Sequence, residues 1–299
     1  MGRILVIGSS NTDMVVKTER LPRPGETVLG GRFLMNPGGK GANQAVAAAR
    51  RGGDVTFITK VGKDVFGDET LASLKRESIC TQYVLRDEEH ASGVALIMVD
   101  EKGENSISVA SGANAALMPE EVLRTLEGIE SADVMLLQLE IPIPSVLAAA
   151  KWAHAKGIPV VLNPAPAFPL PPELLACVDI LTPNETEAEM LSGVKVTDEA
   201  SAVKAALALR TKGVKNTLIT MGKQGACLCT EEGSCMIPAR KVQAVDTTAA
   251  GDVFNGALAV GISEGLPLQE ACHLASQAAA ISVTRLGAQA SAPYRSELG

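Results

Sequence analysis

The 299-residue sequence is short of aromatic side chains: five Phe, two Tyr and one Trp make up 3% of it. A core so poor in rings packs on aliphatic side chains, and the abundance of Ala predicts helices that approach one another closely. Histidine is scarce, at positions 90, 154 and 273, with no two of them neighbours. The six Cys (80, 177, 227, 229, 235 and 272) form no C-x-x-C pair. "CLC" at 227–229 sets two thiols on one face of an expected strand, but a zinc site needs partners at finger-like spacing. The cysteines therefore read as reduced structural thiols of a cytosolic chain.

Long apolar runs are missing too. "VMLLQL" (Val134 to Leu139) is far too short to span a bilayer. "MGRILVIGSS" has no secretory layout, and Met1-Gly2 is followed by Val6 where a myristoylation signal wants Ser or Thr. No basic run exceeds two residues and the formal charge is −7, which argues against a nucleic-acid surface. The expectation is a cytoplasmic protein with neither nucleic-acid nor membrane partners. A small anionic ligand needs only a local site and stays open.

What is present is an alternation of short apolar strands with amphipathic helices. At 46% hydrophobic and 20% charged, the chain has the balance of a globular protein. Strands are expected at 3–10, 54–62, 132–140, 158–164, 179–184 and 216–222. Helices are expected at 41–52, from 67 to about 77, at 143–157, at the short "PPELLACV", at "ETEAEMLSG", at "EASAVKAALALRTKG", and from about Gly251 and Pro267. That rhythm predicts an α/β fold with a mostly parallel central sheet covered on both faces. Two stretches break it, 13–39 and 92–112. Both alternate apolar and polar residues around turn signals, and they predict antiparallel strands outside the main sheet, forming a small flap.

"NPGGKGANQA" (36–45) resembles a P-loop only superficially: G-x-x-x-x-G-K-[ST] would need Gly at 34 and Ser or Thr at 41, where Leu34 and Gly41 stand. It offers exposed backbone N–H groups followed by Lys40 and Asn43, donors suited to a polyhydroxyl ligand. Asn11 and Asp13 in "SSNTD" lie at the expected end of the first strand, where open α/β sheets place ligands. Glu140, Asn184 with Glu187, and Thr220 with Gly222 stand at the ends of three further strands. Each alone reads as a cap or turn residue; together they point to one crevice. "VDTTAAGDVFNGALAVG" (245–261) then gains a meaning. The small residues Ala249, Ala250 and Gly251 open a helix whose first N–H groups make an anion site. A carboxylate there, Asp252, repels a resting phosphate, but it serves where a hydroxyl must lose its proton to attack one.

"PGGKGANQAVAAARRG" and "DTTAAGDVFNGAL" together resemble the two signatures of the ribokinase-like (phosphofructokinase-B type) carbohydrate kinases. The resemblance extends through "GSSNTD", "GENSISVASGANAAL", "LLQLE", "LNPAPA", "TPNETEAE" and "AAISVTRLGAQAS". It implies a single domain over 1–299, a three-layer α/β/α sandwich whose small β-sheet lid takes in about 13–37 and 92–110. The implied activity is ATP-dependent phosphorylation of D-ribose at its primary 5-hydroxyl. Asp252 would be the base, and the amides of Ala249, Ala250 and Gly251 the anion hole. Asn11, Asp13, Gly39, Lys40, Asn43, Glu140 and Asp252 would hold ribose. Asn184, Thr220, Gly222, Gly251 and Ser276 would lie along ATP, with Asn184 and Glu187 near Mg²⁺. Asp246, the carbonyls of Thr248, Ser282, Arg285 and Gly287, and the hydroxyl of Ser291 would bind K⁺. The resemblance also implies a homodimer built through the lid. The chain stops at "YRSELG", slightly earlier than the family leads one to expect, as if a final helical turn were missing. Alternatives are a kinase for another sugar or for a nucleoside, or a non-catalytic sugar- or nucleotide-sensing module. A nucleoside kinase wants an aromatic pocket, and the flap offers little beyond Phe33. A retired kinase has no need of Asp252.

Overall fold

Alternation within the first strand sets the layers. Ile4 and Val6 bury toward one side, Leu5 and Ile7 toward the other, each at 1% exposure or less. The computed structural model describes residues 1–298. The chain runs through β1 (Arg3–Ile7), β2 (Asn11–Lys17), β3 (Arg32–Gly38), α1 (Lys40–Arg50), β4 (Asp54–Gly62) and α2 (Val65–Arg76). It continues with β5 (Val84–Asp87), β6 (Gly93–Val99), β7 (Asn105–Ala110), α3 (Pro119–Leu126), β8 (Val134–Leu137) and α4 (Ile143–Ala155). Next come β9 (Val160–Leu162), α5 (Pro172–Leu175), β10 (Ile180–Leu181), α6 (Glu185–Ser192) and α7 (Glu199–Arg210). The last elements are β11 (Asn216–Thr220), β12 (Ala226–Cys229), β13 (Ser234–Ile237), α8 (Ala250–Ser263) and α9 (Leu268–Ser282).

Among the described residues nine strands form one sheet in the order β13-β12-β11-β10-β9-β8-β1-β4-β5, parallel throughout except that β12 runs antiparallel to both its neighbours. From β1 the chain first builds outward through β4 and β5, then returns to add β8 on the other side. That reversal leaves a crevice beyond the carboxyl ends of β1 and β8, the usual ligand position of open α/β sheets. Helices α1, α8 and α9 cover one face and α3, α4 and α5 the other, with α6 and α7 over the β11–β12 end. The result is the expected α/β/α sandwich with a second, smaller sheet.

The smaller sheet has the order β3-β2-β6-β7. Its outer pairings are antiparallel as expected, but β2 and β6 pair in parallel from Asn11↔Gly93 to Lys17↔Val99. Each hairpin was legible from its own turn, whereas the join between them is a long-range pairing with no local signal. The first strand also stops at Ile7, and Asn11 and Asp13 belong to β2, so these two polar residues sit at the root of the small sheet. Three elements escaped the sequence pattern. The edge strand β5 is four residues long and carries Arg86 and Asp87; β13 is equally short; and the eight-residue α3 buries only Val122 and Leu126.

All six cysteines are free thiols. Cys227 and Cys229 pack with α6 and α7 while Cys235 points into the opposite core layer. Burial pushes Cys227 up to about 11 and Cys272 to about 12, so both thiols are inert at neutral pH. No helix among the described residues is long and apolar enough to cross a membrane.

Helices α1 and α8 meet with almost no side chain between them. A Cβ at Gly256 on α8 would lie 2.6 Å from the Gln44 carbonyl and 2.7 Å from the Ala47 Cβ on α1. Backbone cannot yield as a flexible side chain does, so Gly256→Ala is expected to destabilise the fold by about 1–3 kcal/mol. Urea unfolding at an unchanged m-value checks this, and it would show any wider unravelling as a changed slope.

Candidate active site

Beyond β1 and β8 the chain turns through small residues, and the crevice floor is knitted by one carboxylate. The buried Ser9 hydroxyl donates to Glu140 Oε2 (2.5 Å), and the Lys40 amide donates to the same oxygen (2.9 Å). Three segments far apart in sequence therefore converge on Glu140. Gly39 caps α1 with φ 86°, and a Cβ there would lie 2.7 Å from the Asn11 amide, so only glycine fits this approach. Asn11, 6% exposed, accepts from Asn114 Nδ2 (2.8 Å), which leaves its own amide N–H groups to donate elsewhere. Asn114 also binds both the Ser10 amide (2.9 Å) and carbonyl (3.0 Å), clamping the root of the small sheet.

Asp252 stands in the first turn of α8 and is 6% exposed. Its Oδ2 accepts from Asn43 Nδ2 and its Oδ1 from Gln44 Nε2, both at 2.9 Å. Burial pushes its carboxyl above the usual range, against Lys40, Gln44 and Asn43, which pull it down. Asn43 Oδ1 is buried with no partner, an acceptor that a ligand hydroxyl would satisfy. Around Asp252 stand Lys40, Asp13, Glu140 and Glu187. Burial works against the Lys40 ammonium, but Asp252, Glu140, Glu187 and Asp13 outweigh it and hold it above the usual value. Burial pushes Glu187 up. Asp13, pressed by burial and then by Glu140 and Asp252, is raised to about 6.

Ala249 precedes α8 with φ 59° and ψ 13°, a left-handed conformation rare for a residue with a side chain. The three amides singled out in the sequence differ in their freedom. Ala250 N–H donates to the Thr247 carbonyl (3.2 Å), whereas those of Ala249 and Gly251 find no acceptor among the described residues. Those two are the amides left open to an anion.

The residues expected along a nucleotide follow the sheet away from β8. Asn184 caps α6, accepting from the Glu187 amide (2.8 Å), and Glu187 returns the bond to the Asn184 amide (2.9 Å). Thr220 bridges to Asn184. Gly222 opens the turn to Gly225, which packs against the Ile237 and Ala239 backbone. Ser276 on α9 donates to the Pro238 carbonyl (3.3 Å) and lines a cavity of about 320 Å³ with Ala239, Arg240, His273 and Gln277.

Asp246 joins two loops. Its Oδ1 accepts from Thr248 N–H and its Oδ2 from Gly287 N–H, both at 2.9 Å. These donors outweigh burial and hold it below the usual carboxylate value. The carbonyls of Thr248, Arg285 and Gly287 accept no hydrogen bond among the described residues. That of Ser282 accepts from Arg285 N–H (3.0 Å), and the buried Ser291 hydroxyl donates to the Ala288 carbonyl (2.8 Å).

Residues that sequence reading passed over are Ser9, Gln44, Asn114, Gln138, Asn163, Thr182 and Asn255. Ser9, Gln44, Gln138 and Asn163 had a findable signal, being polar residues inside the quoted motifs and apolar strand ends. The contacts that join Ser9 to Glu140, and Gln44 to Gln138, Asn163 and Asp252, span 94 to 208 residues of sequence, which no local pattern reveals.

A buried carboxylate beside a helix start with two open amides, in a crevice lined with polar side chains, matches what a sugar phosphotransferase needs. The chain belongs to the pfkB family of carbohydrate kinases, whose pattern it matches over residues 1–295. A ribokinase of Staphylococcus aureus is 44% identical over 298 residues, covering 99% of this chain and 98% of that one. The crystal structure of a ribokinase from Thermotoga maritima superposes with a TM-score of 0.92 at 41% identity, over 100% of this chain and 98% of that one. An Arabidopsis thaliana ribokinase structure complexed with ribose and ATP gives 0.91 at 33% identity, over 99% and 97%.

The Asp13 carboxylate accepts no hydrogen bond among the described residues, and burial beside Glu140 and Asp252 sets its charge against the ligand-free fold. A carboxyl raised in the folded state adds stability below its unfolded value of about 3.9 that is lost as pH rises through the folded value; the raised value here is about 6. Asp13→Asn is therefore expected to be more stable than the parent at pH 7.5, by about 1–2 kcal/mol after screening. That margin should close toward pH 4. Denaturant unfolding at both pH values checks it, and a constant margin would mean that the charge is not the cause.

Proposed function

We propose that this chain catalyses ATP-dependent phosphorylation of D-ribose at its 5-hydroxyl, yielding D-ribose 5-phosphate and ADP. The observation that carries the reading is the buried Asp252 held by two amides directly beside the free N–H groups of Ala249 and Gly251. Asn11, Asp13, Gly39, Lys40, Asn43 and Glu140 hold the sugar, the unpartnered Asn43 Oδ1 taking one of its hydroxyls. The Asp252 carboxylate accepts the proton of the 5-hydroxyl as that oxygen bonds to the γ-phosphorus of ATP. The bond from phosphorus to the bridging oxygen breaks, and ADP leaves with the electron pair. Lys40 and the open amides at the start of α8 balance the charge on the transferring group. The likeness to ribokinases over the full length supports ribose over other sugars or a nucleoside.

ATP lies along Asn184, Thr220 and Gly222 toward the cavity beside Ser276. No group of three or more His, Cys, Asp or Glu is placed to hold a metal among the described residues. Magnesium carried on the phosphates would have Asn184 and Glu187 beside it. One carboxylate and several unpartnered carbonyls suit a monovalent cation, so the Asp246 loop pair fits K⁺. Asp246, Thr248, Ser282, Arg285, Gly287 and Ser291 would hold that ion. Bound there, it would supply a fixed positive charge close to the anion-binding turn. The β2–β3–β6 face opposite Asp13 exposes Phe33 (59%), Met35 (44%) and Leu96 (55%), an apolar patch suited to a second copy of the chain.

Coupled-assay turnover should require ribose and rise with K⁺. In the same assay Asp252→Asn should lose about two to four orders of magnitude in kcat with sugar affinity modestly changed. Near-normal turnover by that variant would remove Asp252 from the role of base, and indifference to K⁺ would remove the cation from the Asp246 loops. Light scattering of the Phe33→Asp/Leu96→Asp double variant should give monomers where the parent gives dimers. A dimeric double variant would place the interface elsewhere.

A further inference from the structure

Behind Asp252 lies a chain of buried amides that contributes no ligand-facing group. Gln138 Nε2 donates to Gln44 Oε1 (2.6 Å). Gln44 Nε2 donates both to Asn163 Oδ1 (3.1 Å) and to Asp252 Oδ1 (2.9 Å). Asn163 Nδ2 donates to the Thr182 carbonyl (3.1 Å). Gln44 and Gln138 are wholly buried and Asn163 is 7% exposed.

The direction of this chain is forced from one end. A backbone carbonyl only accepts, so Asn163 must turn its NH₂ toward Thr182 and its oxygen toward Gln44. Gln44 must then present its NH₂ to Asn163, which spends one N–H there and aims the other at Asp252. Reversing Gln44 would set its oxygen against two other acceptors, the Asn163 oxygen and the Asp252 carboxylate. A second branch ends on the same helical turn: Thr182 Oγ1 donates to Asn255 Oδ1 (2.7 Å), and Asn255 Nδ2 donates to the Gly251 carbonyl (2.8 Å).

We infer that Gln44 is the positioning residue of the base: held in one orientation by Asn163 and Gln138, it fixes the plane of the Asp252 carboxylate through its Nε2 donor. The inference rests on the reading of Asp252 as the base. Asn43, on the same helix, supplies the second fixed donor, so the two carboxylate oxygens are set like the two ends of a bar. The charged groups facing Asp252 are Lys40 from α1, Asp13 from β2, Glu140 beyond β8 and Glu187 from α6. Apart from Lys40 all are acidic, so a neutral N–H donor lost here is not replaced by its surroundings.

The test is the pH profile of kcat for Gln44→Met, with Asp252→Asn and the parent alongside. Removing the donor is expected to move the acid limb up by about one pH unit and to lower kcat at neutral pH by about tenfold to a hundredfold. The KM for ribose should stay within about threefold of the parent. An acid limb at the parental pH, whatever the loss of thermal stability, would reduce Gln44 to a structural role and overturn the inference. Should Gln44→Met not fold, Gln138→Met carries the test. It removes the donor to Gln44 Oε1 and so loosens that side chain while Asn163 still sets its direction, so the same limb should move in the same direction by less, and an unmoved limb overturns the inference equally. Near-normal turnover by Asp252→Asn is a separate result, which fails the base itself and not its positioning.

Discussion

The site is organised by the need to keep a carboxylate charged where burial disfavours charge. At 6% exposure Asp252 has little water to hold its ionised form. The protein substitutes two amide donors and one ammonium, and each makes a structural demand. The amides come from adjacent residues of α1, so α1 must lie almost in backbone contact with α8; Gly256 and the alanines of α1 allow that. Lys40 is itself half-buried and draws on acidic neighbours, Asp252 and Glu140 foremost. Burial first, and then the charges of Glu140 and Asp252, lift Asp13 so far. The site is a balance of charges rather than a set of separate pairs.

Strain sits beside that balance. Ala249 keeps a left-handed backbone where glycine would rest without cost. The turn leaves the Ala249 and Gly251 amides without protein acceptors while spending that of Ala250 internally. A stiff residue at such a point removes conformations in which the two open amides would find water or each other's neighbours instead. Asp246 secures the turn from behind by bridging to Gly287, and Arg50 secures the same loop by donating to the Gln289 (2.7 Å) and Ala292 (2.9 Å) carbonyls.

The sequence displayed the residues on the surface of the crevice better than the frame behind them. Asp252, Lys40 and Asn43 announce themselves because polar residues next to a glycine-rich helix start have a local meaning. The alternating strands and helices likewise follow from period and turn chemistry, within a few residues at the ends. Gln44 and Gln138 stand out only as amides inside apolar stretches, and such an amide has no readable role until its partner appears across the sheet. The parallel seam between β2 and β6 was hidden for the same reason. Pairing between segments eighty residues apart depends on the whole fold, and no turn between them records it.

The separation between Gln44 and Asp252, 208 positions along the chain, bears on how the molecule is made. During synthesis, β1, α1 and β4 emerge long before α8, so the first core layer stays open on one side until about five-sixths of the chain has been polymerised. Up to that point the amides of α1 face an unfilled gap, and a ribosome-bound or truncated chain that ends before α8 has no lid to that layer. The last helices thus close the hydrophobic interior and deliver the Asp252 carboxylate in the same step. A chain cut short before residue 250 forfeits both together.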